Sequence, residues 1–237
     1  MITVKKTDFS DIDFAAGQVI LIDKSIGDTS FDVVYKVRKA VGVKKVGHAG
    51  TLDPRATGLL IVCTGKKTKE IFRFQDLSKT YFGKITLGKS TFSYDAESDF
   101  SSERGIVNVT PEKVLAARDM FLGDIEQIPP MYSALKHKGK ALYKYARKGE
   151  EVIREPRKVT IYSFDILDIN LPEVSFRIEC SKGTYIRSIA NDLGEKLECG
   201  GYLSELRREK IGDYSVDEAF NIHDFVDLTA KKSVNVQ

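Results

Sequence analysis

The sequence predicts an α/β fold, of the α+β kind, in which a sheet is flanked by helices. Strands are indicated by short apolar runs and by alternation, as at 174–180 (VSFRIEC), where every second side chain is apolar. Helices are indicated by apolar stripes that begin at capping residues. With 237 residues, of which 42% are hydrophobic and 30% are charged, the chain is long enough to bury a sizeable core.

The first predicted elements enclose a glycine-rich stretch at 47–58 (GHAGTLDPRATG). Residues 18–23 (QVILID) predict a strand. Thr29-Ser30 then offers an N-cap to a helix whose apolar residues follow helical spacing. Residues 59–63 (LLIVC) come directly after the glycine-rich stretch and predict a buried strand that supports it.

The middle of the chain continues the mixture of helices and strands. We expect a helix at 66–74 and a strand at 79–87. Residues 90–105 are polar and rich in turn formers, so they predict a surface loop, to which we assign no role. Thr110-Pro111 predicts a helix start, and Gly123 is the expected stop.

The last third predicts two strands, a helix and a shorter tail. Residues 158–169 and 174–180 are the strands, and an apolar stripe predicts a helix at 186–197, closed by Gly200-Gly201. If the second strand continued through Tyr185 and Arg187, both side chains would point to one face. The tail predicts one further strand and a short capped helix.

Asp53 is the centre of the glycine-rich stretch. Proline fixes its own φ and disfavours α geometry at the residue before it, so the Asp53-Pro54 pair presents a carboxylate on a stiff loop. Such loops often carry function. Asp-Pro pairs are also common turn starters, so the residues alone leave a purely structural role open.

Two other loop chemistries are excluded here. Residues 42–47 have the glycine spacing of a phosphate-binding P-loop, but His48-Ala49 stands where that loop needs Lys followed by Ser or Thr. A metal site needs converging ligands, yet Cys63, Cys180 and Cys199 are scattered and no CxxC or HExxH spacing occurs. We therefore expect no metal, and reduced cysteines in place of a disulfide.

The N-terminal residues lack the apolar core of a signal peptide, and no stretch approaches the roughly 18 apolar residues of a membrane span. We therefore expect a cytoplasmic protein that does not contact a membrane.

Basic residues are concentrated in one segment. The chain has a net charge of +3, but residues 131–158 hold nine Lys or Arg and three Glu, which gives +6 there and −3 elsewhere. Interleaved with Tyr132, Tyr143 and Tyr145, these charges are typical of contact with the phosphates and bases of RNA. A solvated charged surface is the alternative that the residues leave open.

The stretch at 47–58 closely resembles the motif GHxGxLDPxATG of the TruB family of tRNA pseudouridine synthases. Residues 182–197 (KGTYIRSIANDLGEKL) and 206–208 (LRR) resemble two further motifs of that family, in the same order. The resemblance implies the pseudouridine synthase catalytic fold, a mixed and largely antiparallel sheet flanked by helices. Periodicity alone does not distinguish that topology from other α/β layers.

The resemblance also implies the catalytic residues. Asp53 matches the family's nucleophile. Tyr81 matches the active-site tyrosine that stacks on the target base and takes part in proton transfer. Arg187 matches the arginine that pairs with the nucleophile, where its charge would favour the ionised carboxylate.

Further residues are implied to bind the substrate. His48 is expected at the RNA surface, in space left by the flipped nucleotide, while Tyr185 packs against the base and Leu206 lies beside the pocket. Residues 127–149 resemble the family's insertion that grips the T-arm of tRNA. The basic residues expected to contact RNA there are Lys136, Lys140, Lys144 and Arg147.

The implied reaction is the isomerisation of uridine 55 in the T-loop of tRNA, after base flipping and without a cofactor. We expect a monomer in which residues 1–237 form one catalytic domain, with the RNA-gripping insertion at about 127–155 and no separate C-terminal PUA domain.

Two alternatives come from other functional classes. A catalytically silent chaperone would bind and fold tRNA through the same basic segment without chemistry, but the intact Asp53 motif argues against loss of activity. A glycoside-type hydrolase normally needs two carboxylates astride the bond, and this motif offers one.

Overall fold

A computed structural model describes residues 1–234 of the chain. The strands are β1 (Val19–Lys24), β2 (Val46–His48), β3 (Thr57–Thr64), β4 (Lys79–Leu87), β5 (Lys89–Thr91), β6 (Phe100–Glu103), β7 (Gly123–Gln127), β8 (Lys136–His137), β9 (Lys140–Ala141), β10 (Arg157–Asn170), β11 (Glu173–Cys180), β12 (Gly201–Ile211), β13 (Tyr214–Ser215) and β14 (Phe220–Asn221). The helices are α1 (Ser30–Val41), α2 (Ile71–Gln75), α3 (Pro111–Asp119), α4 (Leu142–Ala146), α5 (Ile186–Lys196) and α6 (Ile222–Val234), with 3-10 helices at Gly65–Glu70 and Val216–Glu218.

The chain forms two compact units. The first comprises residues 1–81 and the chain from residue 206 onward, and the second comprises residues 82–205. Strands β4 and β12 contribute residues to both units. The fold is therefore α/β with a large mixed sheet and flanking helices, as the sequence predicted.

The first unit is built around β1 and β3. Its strand order is β14-β1-β3-β12, in which β1 and β3 are antiparallel while β14 and β12 join them in parallel. Alternate residues of β1 and β3 enter two hydrophobic clusters: Ile22 and Leu60 join one, with the phenylalanines of the N-terminal segment and α6, whereas Leu21 and Leu59 join the other. Burial on both faces explains why these strands are continuously apolar in sequence.

The second unit contains the strand order β4-β11-β10-β7, with β10 antiparallel to both β11 and β7. The predicted alternation in β11 is confirmed, because Val174, Phe176 and Ile178 are buried while the residues between them are not. The ring of Phe176 packs edge-on against the ring of Phe164. A Cβ on Gly83 would lie 2.5 Å from the Phe176 ring. Gly83 therefore makes room in β4 for this aromatic core.

Several predicted elements are confirmed near their expected bounds. The strands expected at 18–23, 59–63 and 79–87 correspond to β1, β3 and β4. Thr29 caps the start of α1 in a full capping box with Asp32, and Gly42, in the left-handed conformation (φ 66°), caps its C-terminal end. The three cysteines are buried, and none of them is in a disulfide.

Other predictions of secondary structure were wrong in detail. The helix expected to stop at Gly123 ends at Asp119, and Gly123 instead begins β7 with φ 82°. The region 66–74 is split between a 3-10 helix and α2, and the region 90–105 contains β6 and the end of β5. The tail carries β12, β13 and β14, and its helix α6 is thirteen residues long. Glycines thus lie at or near the boundaries of elements, but they do not specify which element follows.

No helix among residues 1–234 is both long and apolar enough to cross a membrane.

Candidate functional site

The Asp53 loop connects β2 to β3 in the first unit. The Ala49 N–H donates to the carbonyl of Ile61 (2.9 Å), and the Ala56 N–H donates to the carbonyl of Asp53 (3.0 Å). The second bond closes a turn from Asp53 to Ala56 with Pro54 in its favoured second position. The turn formation expected of Asp-Pro therefore takes place, and it leaves the half-buried Asp53 side chain at the start of the turn.

Ser30 anchors the loop immediately before Asp53. Its buried hydroxyl donates to the Leu52 carbonyl (3.1 Å) and accepts from the Leu52 N–H (2.8 Å). Ser30 is the first residue of α1, so the capped end of that helix holds the backbone of the residue adjacent to Asp53. Sequence reasoning treated Ser30 only as a capping candidate and missed this contact.

Arg208 ties together the two ends of the same loop. The side chain is almost fully buried, and its guanidinium donates to the carbonyls of Leu59 (2.8 Å), Gly50 (3.1 Å) and Thr51 (3.5 Å). Gly58 has φ 103°, and a Cβ there would lie 2.3 Å from the Arg208 carbonyl oxygen, so this position needs glycine. The LRR motif thus braces the loop through its last arginine.

Lys24 places a buried positive charge near Asp53. Its ammonium donates to the carbonyls of Asp28 (2.7 Å), Ser25 (3.0 Å) and Pro54 (3.4 Å). Burial lowers the pKa of Lys24, and the charges of Asp28 and Asp53 act in the opposite direction. An opposite charge beside a carboxylate favours its ionised form. Sequence reasoning did not single out Lys24; a charged residue at the end of an apolar strand was the available signal.

The remaining predicted residues of the first unit lie at strand ends or within strands. His48 ends β2 and is half-buried; burial, followed by the charge of Arg208, lowers its pKa, while the Gly50 backbone acts in the opposite direction. Tyr81 is a buried residue of β4. Leu206 is half-buried in β12, beside Arg207, whose guanidinium donates two bonds to Asp23 (3.0 and 2.7 Å).

Tyr185 and Arg187 lie in the second unit, but not on a strand. Because β11 ends at Cys180, Tyr185 occupies the N-cap position of α5 and Arg187 lies in its first turn. The condition under which both side chains would share one strand face is therefore not met. The buried Gln127 amide fixes the Tyr185 backbone, donating to its carbonyl (3.0 Å) and accepting from its N–H (2.8 Å).

Arg187 is held by a set of contacts within the second unit. Its guanidinium donates to the carbonyls of Tyr132 (2.8 Å) and Ser93 (3.0 Å), and its Nε lies 3.4 Å from Oδ2 of Asp95. The side chains of Arg187 and Asp95 are only 6% and 7% exposed. Asp95 falls in the region 90–105, to which sequence reasoning assigned no role. A charged side chain in a polar loop gave no signal that it would be buried.

The predicted RNA-gripping insertion forms a hairpin, β8–β9, followed by α4. Lys136, Lys144 and Arg147 are exposed, while Lys140 is half-buried with its ammonium 4.2 Å from the centre of the Tyr145 ring. Arg147 lies similarly over Tyr143 at 5.4 Å. One face of each tyrosine is therefore covered by a cation of the same segment.

A second basic segment lies in the first unit and was missed. Residues 36–73 hold ten Lys or Arg and two acids, a net charge of +8 that the chain-wide count concealed. The Gly65 N–H donates to the Lys45 carbonyl (2.8 Å), which brings Lys44-Lys45 next to the lysine-rich 3-10 helix at Gly65–Glu70. Its exposed basic residues are Lys39, Lys44, Lys45, Arg55, Lys66, Lys69 and Arg73. A charge count by segment was the signal that could have found it.

The predicted pairing of Arg187 with Asp53 joins residues of different units and stays a prediction. Among residues 1–234, no group of three or more His, Cys, Asp or Glu side chains is arranged to hold a metal ion.

Comparison with protein families gives matches over most of the chain. The N-terminal domain of TruB family pseudouridylate synthases matches residues 38–186, and the C-terminal domain of tRNA pseudouridylate synthase B matches residues 187–236. Proteins named tRNA pseudouridine synthase B from Chloroherpeton thalassium and Endomicrobium trichonymphae are 50% and 48% identical to this chain. The matches cover 91% and 87% of this chain and 91% and 90% of theirs.

Solved structures give the same result for the fold. A chain in the crystal structure of a Cbf5-Nop10-Gar1 complex matches 96% of this chain with a TM-score of 0.72 and 30% identity. A chain in an H/ACA RNP bound to a substrate RNA containing 2'-deoxyuridine matches 94% with a TM-score of 0.70 and 27% identity. This chain spans 58% and 56% of the lengths of those two chains.

Proposed function

Because the chain belongs to the TruB family of pseudouridylate synthases, which are isomerases, we propose that it converts uridine 55 in the T-loop of tRNA to pseudouridine. The observation that carries the proposal is the Asp53 loop, whose backbone is tied down on both sides by Ser30 and Arg208. A reactive carboxylate gains most from such rigidity, because catalysis depends on placing it accurately against the reacting bond.

The reaction rearranges bonds without losing atoms. The bond from ribose C1′ to uracil N1 breaks, the detached base rotates, and C1′ bonds to C5, which loses its proton while N1 gains one. Asp53 acts as the nucleophile, toward either the ribose or the pyrimidine ring. Tyr81 stacks on the base and takes part in the proton transfer.

The other matched residues hold the flipped nucleotide. Arg187 pairs with Asp53, and Tyr185, whose backbone is fixed by Gln127, packs against the base. His48 fills the space that the nucleotide vacates, and its lowered pKa keeps it neutral near neutral pH. Leu206 lies beside the base. No cofactor enters these steps.

RNA binding is supported by charge in each unit. The insertion at 127–155 grips the T-arm through Lys136, Lys140, Lys144 and Arg147, three of which are exposed. The basic segment at 36–73 adds a second surface for phosphates. We propose further that the protein is a monomer and acts in the cytoplasm.

One experiment tests the reaction. The protein is incubated with unmodified tRNA, which is then digested and analysed for pseudouridine, with the modified position mapped. Pseudouridine at position 55 supports the proposal, and pseudouridine elsewhere corrects the position. Free uracil would instead indicate a glycosidic hydrolase, and unchanged RNA that the protein nevertheless binds would indicate a silent chaperone.

A further inference from the structure

We propose that Ser93 and Ser98 are positioning residues, which act through Asp95 to hold the Arg187 guanidinium in place for the reaction. This inference rests on the proposed function and adds residues from a region to which neither the motifs nor the charge pattern assigned a role. All of the contacts involved lie within the second unit.

The hydroxyl groups form a chain that ends on the carboxylate. Ser93 Oγ lies 2.5 Å from Asp95 Oδ1, and Ser98 Oγ lies 2.9 Å from Ser93 Oγ. A hydroxyl has one proton to donate, and an ionised carboxylate only accepts. Ser93 therefore donates to Asp95, so Ser98 donates to Ser93. The Ser98 oxygen also accepts from the Ser93 N–H (2.8 Å), which fixes its position.

This chain determines how the Asp95 carboxylate is turned. Oδ1 accepts from Ser93 Oγ and from the Glu97 N–H (2.9 Å), which leaves Oδ2 facing Nε of Arg187. Ser93 contributes a second time, because its carbonyl accepts from Arg187. Ser93 and Asp95 are buried, so water is poorly placed to replace a lost hydroxyl.

A strained backbone position presents these groups together. Tyr94, between Ser93 and Asp95, has φ 65°, a conformation that costs energy for a residue other than glycine. The turn is held by surrounding bonds: the Thr91 hydroxyl donates to the Asp95 carbonyl (2.7 Å), and the Leu203 N–H donates to the Tyr94 carbonyl (3.0 Å). The conformation places the Ser93 carbonyl and the Asp95 carboxylate against the same guanidinium.

The test measures the single-turnover rate constant for pseudouridine formation in a T-arm stem-loop, together with the dissociation constant for that RNA. Ser93→Ala should slow the reaction roughly 10- to 100-fold, as expected for loss of a hydrogen bond to a charged group, with the dissociation constant changed less than about twofold. Ser98→Ala should slow it about threefold to tenfold, and Ser98→Thr should restore the rate.

Ser90→Ala is the matched control. Ser90 is also buried in this region, but its hydroxyl makes no hydrogen bond within residues 1–234. Removing it should leave both the rate constant and the dissociation constant unchanged. An equal loss of rate in Ser90→Ala would overturn the proposal, because general loosening of the region would then explain the effect.

A double-mutant cycle tests whether Ser93 acts through Asp95. In an Asp95→Asn background, Ser93→Ala should change the rate less than about twofold, because the carboxylate that it orients is already gone. Two effects that multiply would overturn the proposal. If Ser93→Ala fails to fold, Ser98→Ala, at a half-exposed position, can be combined with Asp95→Asn in the same way.

A readout without RNA separates this inference from the proposed function. The Arg187 Nε–H resonance, identified by its absence in Arg187→Lys, should shift or broaden in Ser93→Ala and stay in place in Ser90→Ala. An unchanged resonance in Ser93→Ala would refute the positioning role even in an active enzyme. Wild-type protein that makes no pseudouridine would instead refute the proposed function, with the resonance still deciding whether the hydroxyls hold Arg187.

Discussion

Removal of the Ser30 hydroxyl tests whether the helix end supports the Asp53 loop. In the Ser30→Ala variant both the N–H and the carbonyl of Leu52 lose their partner. Ser30 and Leu52 are 2% and 4% exposed, so water cannot readily take over these bonds. Alanine keeps the start of α1 and adds no volume, which makes the loss of the two bonds the main change.

The expected loss of stability follows from the Leu52 N–H and carbonyl, which both lose their hydrogen-bond partner. A buried donor or acceptor left without a partner costs about 1–3 kcal/mol, so the loss of two partners in Ser30→Ala should lower the free energy of unfolding by about 2–6 kcal/mol. For a chain of this size, 1 kcal/mol corresponds to roughly 2–4 °C, which predicts a Tm lower by about 4–24 °C. Since Leu52 precedes Asp53, turnover should also fall roughly 10- to 100-fold.

Urea denaturation and thermal melting measure the stability, and single-turnover assays on tRNA measure the activity. Ser25→Ala is the control, because Ser25 is an exposed serine of the loop between β1 and α1. It should change the free energy of unfolding by less than about 0.5 kcal/mol. A similarly small effect of Ser30→Ala would refute the claim that Ser30 holds the loop.

Three further predictions concern the nucleophile, a histidine and the RNA surface. Asp53→Asn should abolish pseudouridine formation and retain RNA binding, because an amide keeps the shape but is not a nucleophile; activity within about tenfold of wild type would exclude Asp53 from that role. Burial and the charge of Arg208 lower the pKa of His48 from its ordinary value of 6.5. As the pH falls below 6.5, the unfolded chain therefore binds a proton at His48 more readily than the folded chain does, and the free energy of unfolding decreases. In denaturation series from about pH 7.5 to about pH 5, His48→Gln should lose less stability than wild type, and equal losses would contradict this assignment. Lys44→Ala and Lys66→Ala should each lower the slope of log affinity against log salt by about 0.7 to 0.9 with little change in turnover at saturating RNA; an unchanged slope would remove that lysine from the RNA surface.

Local patterns in the sequence were sufficient for much of the fold and for the turn that begins at Asp53-Pro54. The Thr29 cap, the apolar runs of β1 and β3 and the alternation of β11 all appear near their expected positions. These features depend on residues close in sequence, where backbone preference and periodicity act directly. The LRR motif includes Arg208, but Leu206 was the only residue of that motif to which the sequence assigned a role.

The contacts that hold the Asp53 loop and Arg187 could not be predicted from the sequence, because they form only in the folded chain. Arg208 reaches a carbonyl 158 positions away, and Arg187 reaches one 94 positions away. Contacts between residues so far apart in sequence produce no periodic pattern. The same applies to Asp95, a polar residue in a polar loop until packing buries it against Arg187. A buried charge is tolerated only beside partners that neutralise it and accept its hydrogen bonds, and it is the tertiary structure that brings such partners together.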